Sequence, residues 1–172
     1  MPIIHPFEGK SPRIHDSAFI ADTAVLIGDI EVGPETSIWD GCVLRADVNE
    51  MKIGARCNLQ DGTVIHVSTY GPGTYLGDDV TIGHMALLHA CTVETRGFVG
   101  MKACVMDEAV VESGAMLAAG ALLPNGKRVP AGELWAGAPA RLMRPLGKKD
   151  NDLIDWSAAH YVELAKRHVA SR

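Results

Sequence analysis

Large aliphatic residues recur every six positions along most of the chain. The series runs Ile14, Ile20, Leu26, Val32, Ile38, Leu44, then after three extra residues Ile53, Leu59, Ile65. After five extra residues it resumes as Leu76, Ile82, Leu88, and after five more as Val99, Val105, Val111, Leu117, Leu123, Val129. All eighteen are Ile, Leu or Val. The position four later is small in thirteen of them, namely Ala18, Ala24, Thr36, Cys42, Cys57, Thr63, Thr69, Ala86, Thr92, Ala103, Ala109, Ala115 and Ala121. A period of six excludes an amphipathic helix, whose apolar stripe repeats at about 3.6 residues. It suits a short strand and a turn, repeated, so that three hexads close one triangular coil and coils stack at a strand spacing of about 4.8 Å. The large aliphatic fills the interior, and the small residue sits where the interior narrows at a corner. The pattern predicts an all-β solenoid, a parallel β-helix of six coils beginning at Ile14, Val32, Ile53, Leu76, Val99 and Leu117. The three insertions (Glu50–Lys52, Gly71–Tyr75, Glu94–Phe98) then fall at one corner, between coils.

The pattern divides the chain into an N-terminal segment (1–13), the repeat (14–134), a connecting loop (135–149) and a helix (150–172). Pro130, Pro139 and Pro145 mark the irregular connection. From Asp150 the apolar period changes to that of a helix, carried by Leu153, Ile154, Tyr161, Val162, Leu164, Ala165 and Val169. Asp150, Asn151 or Asp152 is its candidate cap. A solenoid end exposes unpaired strand edges, so the helix is expected to be a cover or packing arm.

Composition narrows the picture. The 172 residues suit one domain. Only nine are aromatic, so the core must be aliphatic and small. A net charge of −5 argues against broad nucleic-acid binding, which needs a basic face. No apolar run approaches the roughly 20 residues of a membrane span, and the opening MPIIHPFEGKSP lacks the pattern of a signal peptide. Cys42, Cys57, Cys91 and Cys104 form no CxxC pair, which predicts reduced thiols in a cytoplasmic protein. Cys42 and Cys57 fall at the small corner position and simply fill space. The seven methionines form no stripe.

Candidate chemistry lies in three of the seven histidines. His5, His15, His160 and His168 read as surface residues or local hydrogen bonders. His66 and His89 each follow the aliphatic of the third hexad in consecutive coils, so they stack in one outward column. Two imidazoles so placed can converge on one metal at about 2.0–2.1 Å each. His84 lies two past Ile82, on another face, so a third ligand to the same metal must come from a neighbouring chain. A cyclic homotrimer supplies it three times. Arg45 lies in the His66–His89 column one coil below His66, and Asp61 lies one coil below His84. Where the two columns meet, Arg45 faces Asp61 of the neighbour in a charge-assisted pair. Gln60 adjoins Asp61, and Asp47 is two residues past Arg45. Three neutral imidazoles with an open fourth position form a catalytic-type zinc site, in which bound water has a pKa near ~7. Co2+ or Fe2+ would accept the same shell.

RADV at Arg45–Val48, NLQDGTVIH at Asn58–His66, IGHMALLHAC at Ile82–Cys91, VGM at Val99–Met101 and GAPAR at Gly137–Arg141 resemble the γ-class carbonic anhydrases and their close relatives. The resemblance implies a left-handed parallel β-helix, a homotrimer, zinc at subunit interfaces, and His66, His84 and His89 as ligands. It implies that Arg45 and Asp61 pair between subunits, that Gln60 positions the reacting water or bicarbonate, and that Asp47 belongs to the same network. Tyr161, in AAHYVELA, resembles a tyrosine that approaches the metal from the C-terminal helix. One stretch departs from the archetype. Val67–Tyr75 (VSTYGPGTY) is short and carries no carboxylate where the archetype has an acidic, proton-transferring loop. The leading expectation is therefore zinc-dependent hydration of CO2 to bicarbonate. The alternatives are a non-catalytic zinc-clamped trimer that binds another protein, and an acyltransferase on the same scaffold, which GAPAR resembles.

Overall fold

The structure is a computed structural model describing residues 1–171. Twenty short strands precede one helix among them, Lys148–Ala170; Arg172, placed in the helix by the sequence pattern, lies outside the described residues. The strands stack in parallel as a solenoid. Its first column of aliphatics is Ile14, Val32, Ile53, Leu76, Val93, Val111 and Val129. The second is Ile20, Ile38, Leu59, Ile82, Val99 and Leu117, with the aromatic Trp135 stacked on its end. The third is Leu26, Leu44, Ile65, Leu88, Val105 and Leu123, and Ile4 of the N-terminal segment pairs below Leu26 to begin it. These aliphatics and the small corner residues form one continuous core.

Seven coils replace the six expected. Val99 belongs to the second column and not to the first, because the step from Leu88 to Val93 is five positions and not six. The Glu94–Phe98 insertion therefore does not exist. The shortened corner is closed by Ala90 in a left-handed conformation at φ 46°, with Cys91 buried in the narrow position. Two expected corner residues are displaced: Thr92 stands in the strand beside Val93, and Thr69 lies exposed in the loop between the strands Val64–His66 and Thr74–Leu76.

The expected 135–149 connection is also largely structured. Glu133–Ala136 and Arg141–Pro145 form an antiparallel hairpin that extends the second face, so the edge strand at this end runs against the parallel sheet below it. The helix begins at Lys148, earlier than expected. Its cap is Gly147, whose N–H donates to the Asp150 carboxylate at 2.7 Å. Ile154, Ser157, Ala158, Val162 and Ala165 make its buried face. It lies along the second face, against the strands at 19–20, 37–38, 58–59 and 81–82. It is thus a packing arm on the side of the solenoid. Among the described residues no helix is long and apolar enough to cross a membrane.

Candidate metal centre

Residues one past each third-column aliphatic point outward, and parallel pairing puts Arg45 opposite His66 and His66 opposite His89. The two imidazole centroids are 5.1 Å apart, and His66 Nδ1 lies 3.1 Å from His89 Nε2. The other nitrogen of each ring meets a carboxylate. His66 Nε2 is 3.0 Å from Asp47 Oδ1, and His89 Nδ1 is 2.7 Å from Asp107 Oδ1. An ionised carboxylate only accepts hydrogen bonds. In the neutral rings each proton then lies on its carboxylate side, and the two facing nitrogens present lone pairs to each other. Such a gap calls for a cation. The spacing lets both nitrogens reach one metal ion at about 2.0–2.1 Å, so the donor set fits a divalent metal.

Arg45 donates from Nη1 to Asp47. Burial pushes the Asp47 carboxyl up, but the contacts from His66 and Arg45 outweigh it and hold the group below its ordinary range. Asp47 thus joins the guanidinium to the imidazole below the paired rings.

The remaining candidates gather at the corner between the second and third faces. The N–H groups of Gly62, Met85 and Lys102 donate to the carbonyls of Asp40, Asp61 and His84 one coil below, at 2.8–2.9 Å. Asp61 and His84 are therefore stacked, and His84 Nδ1 lies 2.9 Å from Asp61 Oδ2. Within this one chain Arg45 is paired with Asp47 and Asp61 with His84. Among the described residues no three His, Cys, Asp or Glu side chains of one chain converge to hold a metal.

Gln60 is buried beside Asp61, fixed by a polar chain that sequence reasoning missed. Its Nε2 donates to Asn58 Oδ1 at 3.0 Å, Asn58 Nδ2 donates to Thr81 Oγ1 at 2.9 Å, and Thr81 Oγ1 donates to Ser157 Oγ on the helix at 3.0 Å. Tyr161 packs edge-on against Trp39 at 5.6 Å. Its phenol is pushed up by burial and, secondly, by the charge of Asp61. Gln60, His84 and Tyr161 line one end of a groove of about 520 Å³, whose other walls include Phe98, Met101, Met116 and Trp156. Asp107 is a second residue that sequence reasoning missed. Counted from a fifth coil starting at Val99, it falls on another face; only the true register puts it above His89.

Three of the remaining histidines have local partners. His15 meets Ser17 at 2.9 Å, His160 stacks on Trp156, and His168 packs edge-on against Phe19 and Trp39. All four cysteines are free. Burial pushes the Cys42 thiol up to about 11 and those of Cys57 and Cys91 to about 12, so these three are neutral packing groups.

A parallel solenoid of hexads with stacked imidazoles on one face defines a hexapeptide-repeat protein. No protein-family model matches the chain. It is 45% identical over 166 residues to gamma carbonic anhydrase 2, mitochondrial, of Arabidopsis thaliana, covering 94% of this chain and 60% of that protein. It is 44% identical over 168 residues to a carbonic anhydrase of Geobacillus kaustophilus, covering 98% and 92% of the two chains. A hexapeptide transferase family protein from Anaplasma phagocytophilum superposes with a TM-score of 0.92 at 46% identity, covering 95% and 96%. The chain belongs to the γ-class carbonic anhydrase-like family of hexapeptide-repeat proteins. It spans about 60% of the length of the plant relative.

Proposed function

We propose that the protein is a zinc-dependent carbonic anhydrase, catalysing reversible hydration of CO2 at the interfaces of a homotrimer in the cytoplasm. The observation that carries this reading is the pair of facing imidazole nitrogens, 3.1 Å apart, on the third face of the solenoid. The helix packs on the second face. The first face carries polar outward residues such as Arg13, Glu31, Lys52 and Arg128. The third face presents Val25, Val43, Val64, Leu87, Cys104 and Leu122 in one outward column, with Val64 38% and Leu87 40% exposed. An apolar stripe of this kind suits burial against another copy.

In this reading His66 and His89 of one chain and His84 of its neighbour hold the metal. When bound, such an ion acidifies water to near neutrality and so supplies a nucleophile for CO2. Asp47 and Asp107 keep the ring protons of His66 and His89 away from the metal side. The buried chain through Asn58 engages the Gln60 amide N–H, leaving its carbonyl oxygen to orient a polar ligand. Arg45 and Asp61 are 45% and 50% exposed in the single chain, which leaves both accessible for pairing across the interface. Tyr161 contributes a phenol at the edge of the site.

The groove of about 520 Å³ beside His84 and Gln60 favours a second reading, an acyltransferase whose larger substrate fills it. One preparation discriminates. Sedimentation, metal analysis and stopped-flow CO2 hydration should give a trimer, about one metal per chain and a rate above the uncatalysed one. A zinc-loaded trimer with no such rate defeats the anhydrase reading. Thiol release from acetyl-CoA would then support acyl transfer, and its absence a zinc-clamped trimer that binds another protein.

A further inference from the structure

Val105 stacks on Leu88 in the third column, and the Glu108 N–H donates to the Ala90 carbonyl at 2.8 Å. The turn that carries Asp107 therefore sits directly above the turn that follows His89. Asp107 is about one-quarter exposed, and its Oδ1 lies 2.7 Å from His89 Nδ1. In the neutral ring this short contact to a group that only accepts when ionised places the proton on Nδ1 and the lone pair on Nε2. It is Nε2 that faces His66.

We infer that Asp107 is a positioning residue for the metal centre, holding His89 in its Nε2-ligating tautomer and fixing its ring orientation. The inference rests on the metal reading above. A carboxylate behind a ligating imidazole raises the basicity of the ligand and removes the freedom to rotate out of place. Such partners are commonly worth about 10–100-fold in metal affinity. Asp47 stands in the same relation to His66, but it is also bonded to Arg45, so altering it would disturb the proposed interface as well. Asp107 gives the cleaner test.

The full-length protein and its Asp107→Asn and Asp107→Ala variants are stripped of metal. They are titrated with Co2+, followed by visible absorption, and with Zn2+ against a chromophoric chelator. Wild type should bind about one ion per chain. Both variants should keep the wild-type assembly size and the melting temperature of the metal-free protein. They should bind Zn2+ roughly 10–100-fold more weakly and show an altered Co2+ spectrum. Asp107→Glu should recover part of the loss. Affinity and spectrum unchanged in both variants would overturn the role of Asp107 while leaving the metal reading intact. A loss matched by an equal fall in metal-free stability overturns it too, because the residue would then be merely structural. Wild-type protein that binds neither ion would sink the metal reading itself.

Discussion

Replacing Asn58 with leucine tests the link between the solenoid interior and the candidate site. Asn58 is fully buried and joins Gln60 to Thr81, and through Thr81 to Ser157 of the helix. Leucine has a similar volume, so the packing loss is small. The polar loss is not, because Gln60 Nε2 loses its partner, while Thr81 Oγ1 keeps its bond to Ser157 Oγ. An unsatisfied buried group costs about 1–3 kcal/mol, so the substitution should destabilise by about 2 kcal/mol. For a chain of this size that corresponds to a fall in melting temperature of about 4–8 °C. Urea unfolding at fixed chain concentration gives the free energy, and metal content should not change, since no imidazole is touched. CO2 hydration should fall because Gln60 is no longer oriented. If Asn58→Leu unfolds within ~0.5 kcal/mol of wild type and keeps full activity, the polar chain neither stabilises the fold nor positions Gln60.

Arg45→Ala should loosen the trimer by about 2–5 kcal/mol, the usual loss when one partner of a buried interfacial charge pair is truncated; sedimentation indistinguishable from wild type would refute the Arg45–Asp61 pairing. CO2 hydration should rise with external imidazole, because Val67–Tyr75 offers no carboxylate to carry the proton away; a high rate independent of buffer would reveal an internal carrier. Asp150 is held well below the ordinary carboxylate range, first by Arg144 and then by the Gly147 N–H. A depressed carboxyl stabilises above its unfolded pKa and ceases to do so as pH falls through its folded one. The helix start should therefore be secure at neutral pH and loosen only in acid below the ordinary carboxyl value of 3.8, read from Trp156 fluorescence, and Asp150→Ala should abolish that acid transition.

The six-residue period alone determined most of the architecture. In a solenoid each coil touches only its neighbours, so counting hexads also counts columns. That is why Arg45, His66 and His89 could be stacked, and Asp61 set below His84, without coordinates. A six-residue period interrupted only by insertions does not reveal a deletion, and the chain is one residue short between Leu88 and Val93. From that point the count was displaced by one face, which hid the seventh coil and moved Asp107 away from His89. The hairpin of 133–145 was hidden for another reason: its first strand keeps the six-residue step but puts Trp135 where the series has an aliphatic, and its second strand pairs antiparallel with the first. The chain from Gln60 to Ser157 spans 76 residues in its last step. It exists only because the amphipathic helix docks sideways on the second face, a choice made by the fit of Ile154, Ser157 and Ala158 against that face and not by any local preference of the helix. Periodic backbone pairing is local and can be read from sequence, whereas the contacts that orient His89 and Gln60 depend on where distant segments come to rest.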